Sequence, residues 1–400
     1  RMKSARDWGR LGMTYKRIPL YDLAKWKNGL AFRNINFSKR GRPVIKIAEL
    51  KNGITEQTQL TEQTFDDEVY LRAGDMLFSW SGNPQTSIDV FWYNLPDGWL
   101  NQHIFKVTPI SEIDRQYFFY LMKSLMPTFT AIASNKQTTG LGHVTVKDLK
   151  ELIVDVPPLD EQVAIGAYLQ SIDAKINNNT KINHHLEQMA QAIFKSWFVD
   201  FEPFGGVRPS DWREGTLADI ASVTMGQSPD GSSYNESGTG TVFYQGRTDF
   251  GSRFPSRRLF TTQPKRMAIE GDILVSVRAP VGDLNVAAEP CCLGRGLAGI
   301  QSKSGNQSFI LYTMFALKQQ LDMFNGEGTV FGSINKNDMA TLSVVIPTDE
   351  VVQQFESIVK PMDETIRNNF DEICHLQAAR DTLLPRLMSG ELSVADNAAK

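Results

Sequence analysis

A segment near the middle of the chain returns near its end at a constant spacing of 190 residues, and this repeat limits what the chain can fold into. Val144, Asp148, Leu149, Leu152, Val154 and Pro157 correspond to Ile334, Asp338, Met339, Leu342, Val344 and Pro347. Ile165, Asp173, Ile176, His185 and Leu186 then correspond to Phe355, Asp363, Ile366, His375 and Leu376 without an insertion. Upstream, Leu20, Gly29, Gly74 and Asp75 pair more weakly with Leu217, Gly226, Gly271 and Asp272 at a spacing of 197. Two copies of one unit are implied, each a variable globular part followed by a better preserved helical part.

The helical parts follow from periodicity. Pro157 and Pro158 end a Val/Ile-rich strand and open a helix that runs to about Phe198. Within it Ile165, Leu169, Ile172, Ile176, Asn179, Asn183, Leu186, Ala190, Ile193 and Trp197 follow the alternating three-and-four spacing of a coiled-coil seam. Phe355, Val359, Met362, Ile366, Asn369, Ile373, Leu376, Leu383 and Leu387 repeat that register, with Arg380 as the charged intruder. Neither stripe can bury itself alone, so the two helices are expected to pair within the chain, antiparallel and pseudo-two-fold. About 40 residues at ~1.5 Å rise would give a spacer of ~60 Å. Pro361 should kink or restart the second helix and Pro385 should end it. Asn179 and Asn369 occupy matching seam positions, so they are expected either to face one another and fix register or to be solvated surface residues.

The globular parts mix short strands (Val44 to Ile47, Met76 to Trp80, Val242 to Tyr244, Ile273 to Val277, Leu342 to Ile346) with helical stretches near Tyr117 to Ala133 and Phe309 to Phe324. The fold class is therefore α+β. The expected division is a first globular domain over 1–157, a helix over 158–198, a second globular domain over 199–347, a second helix over 348–390 and a tail over 391–400. At 400 residues, with 41% apolar and 22% charged residues, the chain can bury more than one core.

A formal net charge of −3 excludes a polybasic binder, so local clusters have to be read. Lys39, Arg40 and Arg42 lie in a stretch from Arg33 to Lys46 that contains no acid. Arg247, Arg253, Arg257, Arg258, Lys265 and Arg266 are set against the single acid Asp249 and interleaved with Phe250, Phe254 and Phe260. Arginine suits guanine, and Asn or Gln suits adenine, as a bidentate partner. Gln245 and Arg247 after one strand, and Arg278 after another, are held by strand ends, with Trp80, Asn83 and Gln85 as their counterparts in the first domain. The expected DNA-binding set is thus Lys39, Arg40, Arg42, Trp80, Asn83, Gln85, Gln245, Arg247, Arg253, Arg257, Arg258 and Arg278.

Two regions also resemble a known family. Pro157, Pro158, Leu159, Asp160, Glu161, Gln162 and Ile165, then Asp173, Ile176, Leu186, Phe194, Trp197, Phe198, Asp200 and Phe201, are similar to the central conserved region of Type I restriction-modification specificity subunits. Leu383 to Glu391 resembles their C-terminal conserved end, and Gly226-Gln227-Ser228-Pro229 a turn near the start of their recognition domains. The second helix departs from the pattern, with Pro347-Thr348-Asp349-Glu350-Val351-Val352-Gln353 where Pro-x-x-Glu-Gln is common.

The resemblance implies two target recognition domains separated by two conserved helices in an antiparallel coiled coil. Each domain would read one half of a bipartite site in double-stranded DNA. It implies two methyltransferase subunits and two motor-nuclease subunits as partners. S-adenosylmethionine, ATP and magnesium would be used by those partners and not by this chain.

No phosphate-binding loop is present, Asn83-Pro84-Gln85 is not an adenine-methyltransferase motif, and none of the five histidines has a metal-ligand spacing. A non-enzymatic subunit is therefore expected. A self-contained modification or restriction enzyme and a coiled-coil adaptor without DNA contact stand as alternatives. The aromatic run Trp197, Phe198, Phe201 and Phe204 is read as packing ahead of a base-stacking platform. Three cysteines without metal spacing, no apolar run of membrane length and no signal-peptide core from Arg1 to Arg10 point to the cytoplasm and away from a membrane.

Overall fold

Each globular part begins and ends on the same two-stranded ladder, which brings the ends of the domain together. Lys16–Pro19 pairs antiparallel with Ile153–Val156 in the first domain, and Arg213–Thr216 with Ser343–Ile346 in the second. A computed structural model describes residues 15–137, 140–326 and 332–394; the basic stretch Arg1 to Arg10 and the last residues of the tail lie outside the described residues. The chain divides into two compact units, one formed by residues up to Asn177 together with those from Cys374 onward, the other by Asn178–Ile373. Each unit takes one globular domain and a portion of both long helices.

In the first unit an antiparallel sheet runs in the order Ala24–Asn28, Ile104–Pro109, Met76–Ser79, Asp89–Trp92. Helices Arg115–Ser124 and Met126–Asn135 cover it, and Phe78, Tyr117, Phe118 and Phe129 fill the space between without exposure. A second, smaller sheet holds the parallel pair Arg42–Ile45 and Gly98–Leu100 over a core of Ile45, Tyr93, Trp99 and Leu100. The second unit repeats both sheets. Ala221–Met225, Leu297–Ser302, Ile273–Ser276 and Leu284–Val286 follow the first order, and Thr241–Tyr244 is again parallel to Cys291–Leu293. Duplication thus extends from sequence to strand order. The expected α+β class is observed, with strands ending within a residue or two of their expected bounds. Each expected helical stretch is broken into shorter helices, the first at Leu125.

The long helices span Leu159–Phe198 and Asp349–Met388, 40 residues each. Within each unit their portions pack antiparallel. In the first, Arg380 Nη1 donates to Asp173 Oδ1 at 2.8 Å and the Val394 amide to Glu161 at 3.4 Å. In the second, Asn179 Nδ2 donates to Glu372 at 2.6 Å, and Asn369 Nδ2 to Asn183 Oδ1 at 2.8 Å. A step forward on one helix is a step back on the other. Seam residues Ile165, Leu169, Phe355 and Val359 are fully buried by the globular domains as well as by the partner helix.

Three expectations about these helices are corrected. Asn179 and Asn369 do not face one another: the antiparallel register is offset by about one turn, so each bonds to a different residue. Of the kink or restart expected at Pro361, the restart does not occur: the helix runs through this exposed position, where water can meet the carbonyl of Ser357 left without its donor. Pro385 does not end it either, since the last turn continues to Met388 and the Ser389 amide returns to the Pro385 carbonyl at 3.0 Å. Arg380, the intruder, is explained by its ion pair with Asp173.

Candidate nucleic-acid interface

In the second domain three strand ends converge. Thr241–Tyr244 and Cys291–Leu293 are parallel, so both release their chains on the same side, as Gln245-Gly246-Arg247 and Gly294-Arg295-Gly296. The strand Ile273–Ser276 joins them through the Val277 amide, which donates to the Gly296 carbonyl at 2.9 Å and places Arg278 next. Glycine is required at this junction. A Cβ on Gly294 would lie 2.8 Å from Gln245 Cα, and one on Gly296 would lie 2.8 Å from the Gln245 carbonyl oxygen. The Gly226-Gln227-Ser228-Pro229 turn closes the edge: the Gln227 amide donates to Leu293 O at 2.9 Å and the Arg295 amide to Ser228 Oγ at 3.2 Å.

The result is a groove of about 340 Å³ lined by Ser228, Gln245, Arg247, Arg258, Arg278 and Arg295. Two carboxylates offset part of its charge. Arg258 Nη2 lies 2.9 Å from buried Asp249, and Arg247 Nε 2.9 Å from Asp283. Two of four guanidiniums therefore keep uncompensated charge among the described residues, on a rigid frame suited to an anionic, hydrogen-bonding ligand. Of the expected set, Gln245, Arg247, Arg258 and Arg278 meet here. Arg295 was missed, although an arginine between two glycines after an apolar strand is a readable sign of a tight, exposed turn.

Two arginines of the same cluster lie elsewhere. Arg257 is exposed and pairs with Glu289 outside the groove lining. The expectation that Arg253 contacts DNA is corrected: its side chain is only 8% exposed. Its Nη1 donates to Glu187 at 3.2 Å and its Nη2 to Asp363 at 2.5 Å, and the Tyr312 hydroxyl donates to the same Asp363 oxygen at 2.8 Å. Arg253 ties its domain to the long helices. The repeat supplies the same device in the first unit, where Tyr120 donates to Asp173 at 2.7 Å and the guanidinium comes from Arg380 instead.

The interleaved phenylalanines are also structural. Phe254 packs against Phe370 with tilted rings whose centroids lie 4.5 Å apart, while Phe250 and Phe260 pack against the small core. Trp197, Phe198, Phe201 and Phe204 form a cluster about Trp212, with Phe204 and Trp212 centroids 5.0 Å apart, which agrees with the packing reading.

The first domain has the same junction with different side chains. The Trp80 amide donates to the His103 carbonyl and the Val144 amide to the Trp80 carbonyl, as Val277 and Ile334 do in the repeat. Ser81 thereby takes the place of Arg278, Gln102 that of Arg295 and Lys46 that of Gln245. The Trp80 ring is half-buried between His103, Phe105 and His143, at centroid distances of 5.7 to 5.9 Å, and its Nε1 donates to Asn28 at 3.0 Å. Burial, and then the neighbouring His143, lower the His103 pKa, which keeps that ring neutral and able both to donate and to accept.

Asn83 and Gln85 are exposed on the following turn, where Asn83 Oδ1 already accepts the Gln85 amide at 2.9 Å. Lys39, Arg40 and Arg42 are exposed but enter the strand Arg42–Ile45 from its opposite end, with Arg42 over the Tyr70 ring and 3.8 Å from Asp97. The structure does not bring them to the strand-end junction. His103, His143 and Gln102 were missed as junction residues, since only the duplicated hydrogen-bond pattern picks them out. Among the described residues no helix is long and apolar enough to cross a membrane.

Known proteins agree with this duplicated architecture. The family described as Type I restriction modification DNA specificity domain matches residues 13–188 and again 209–374. The putative type I restriction enzyme MjaX specificity subunit of Methanocaldococcus jannaschii is 29% identical, over 92% of this chain and 91% of its own length. The type I restriction enzyme HindI specificity subunit of Haemophilus influenzae is 24% identical over 69% of this chain and 77% of its own. A crystal structure of the Type-I restriction-modification system S subunit from M. genitalium shares the fold, with a TM-score of 0.62, 17% identity and coverage of 94% of this chain and 96% of that one. With two copies of the domain covering most of its length, the chain belongs to the Type I restriction-modification DNA specificity family.

Proposed function

We propose that this chain is the non-catalytic subunit that selects a bipartite DNA site for a Type I restriction-modification complex, each globular domain reading one half. The duplicated strand-end junction carries the proposal. It occurs once per domain on the same hydrogen-bonded frame, yet displays arginines in the second and Gln102 and two histidines in the first, where Ser81 is buried against His143 Nδ1 at 2.8 Å in the place of Arg278. A common frame with different side chains suits recognition of two different half-sites, because strand ends fix the main chain while the side chains set the base preference.

On this reading two methyltransferase subunits act where the chain directs them. They would flip an adenine from the duplex and use S-adenosylmethionine, and two motor-nuclease subunits would supply ATP- and magnesium-dependent restriction. The chain itself binds none of these cofactors and works in the cytoplasm. The exposed His185 and His375, at matching helix positions, suit contact with partner subunits. A coiled-coil adaptor would leave the arginine-lined groove without a role.

The test is reconstitution. Purified methyltransferase subunit should methylate a genomic DNA library at a two-part site only when this chain is added, and the chain alone should neither methylate nor cleave. Methylation of the same sites without the chain would refute the proposal.

A further inference from the structure

The four groove arginines are not equivalent. Arg258 places Nε and Nη2 at 3.0 and 2.9 Å from one oxygen of Asp249, and Arg247 Nε meets Asp283 at 2.9 Å, so each of these already has a carboxylate partner. Arg278 and Arg295 are exposed, line the same groove and have no ion pair among the described residues. Their main chains are nevertheless tightly held. Arg278 bridges antiparallel to Ser333. Arg295 hangs from Ser228 through its amide, between two glycines pressed against the Gln245 backbone. Contact with a phosphate needs charge but no fixed main chain. An unoccupied planar fork on a fixed main chain suits a bidentate contact to O6 and N7 of guanine.

Resting on the function proposed above, we propose that Arg278 and Arg295 each read a guanine in the half-site of the second domain, while Arg247 and Arg258 shape the groove. In the first domain their places are taken by Ser81 and Gln102, which have no guanidinium, so this guanine pair is confined to one half of the site.

The test compares methylated motifs from cells expressing the cognate methyltransferase subunit with the wild-type chain, Arg278→Ala, Arg295→Ala, Arg278→Lys or Arg295→Lys. Arg257→Ala, outside the groove, is the control. The wild-type motif should hold two guanines in one half. Each alanine variant should make one of them degenerate, losing about one to two powers of ten in discrimination at that position only. The lysine variants should relax the same position while retaining more overall methylation, because charge is kept and the fork is lost. Uniform weakening with the motif unchanged would make both arginines phosphate contacts and overturn the assignment. Fewer than two guanines in the affected half would also overturn it. Failure of the wild-type chain to confer any motif would instead remove the proposed function, and this assignment with it.

Discussion

Arg253→Met separates a structural role from a DNA-contacting one. Arg253 holds Glu187 and Asp363, whose side chains are 21% and 17% exposed, and its removal leaves two nearly buried carboxylates facing each other without a cation. Breaking a buried pair in this way costs ~3–5 kcal/mol, and the residual exposure of the carboxylates places the expectation at the lower end, ~3 kcal/mol. Methionine replaces most of the aliphatic stem, so the loss is electrostatic rather than a cavity. In native-state hydrogen exchange, amides of the helix portions within Asn178–Ile373 should exchange about 100-fold faster, since ~1.4 kcal/mol is tenfold. A double-mutant cycle with Asp363→Asn should show strong coupling. The salt dependence of DNA binding should keep its slope. A stability change within ~0.5 kcal/mol, combined with a slope reduced by about one charge, would show that Arg253 meets a phosphate after all.

Other perturbations give distinct readouts. Gly294→Ala must move the Gln245 backbone, because its Cβ would fall 2.8 Å from Gln245 Cα; it should cost ~1–3 kcal/mol in chemical denaturation and weaken DNA binding together. Arg380→Met should cost less than Arg253→Met, since Arg380 and Asp173 are each 27% exposed; a larger loss of stability would contradict the ranking by burial. Glu356 accepts the Phe309 amide at 2.7 Å, and burial raises its pKa. That raised pKa adds stability in acid which is lost as pH rises through the folded-state value. Glu356→Gln keeps the acceptor without the charge, so it should raise the melting temperature at pH 8 relative to wild type and have less effect at pH 5. An equal change at both pH values would refute this.

Architecture was legible because it rests on periodicity. Stripes such as Ile165, Leu169 and Ile172 can be buried only by a partner helix and a domain, and the repeat implied that the chain carries both partners. Register was not legible to within one turn, because Asn179, Asn183 and Asn369 are chemically alike and only packing decides that Asn369 bonds to Asn183. Basic clusters mark electrostatic potential but not side-chain destination. Consecutive basic residues of one loop went three ways, with Arg253 buried on the helices, Arg257 on Glu289 and Arg258 in the groove. Arg295 is separated from Arg247 by nearly fifty residues and joins it only because Thr241–Tyr244 and Cys291–Leu293 are parallel, a pairing between distant segments that neither composition nor spacing reveals.

The most direct test of the account is single-molecule sequencing of methylated DNA from cells carrying the methyltransferase subunit with and without this chain. The account predicts a split motif, with a methylated adenine in each half, present only when the chain is expressed. A single continuous motif, or the same methylation in cells without the chain, would contradict it.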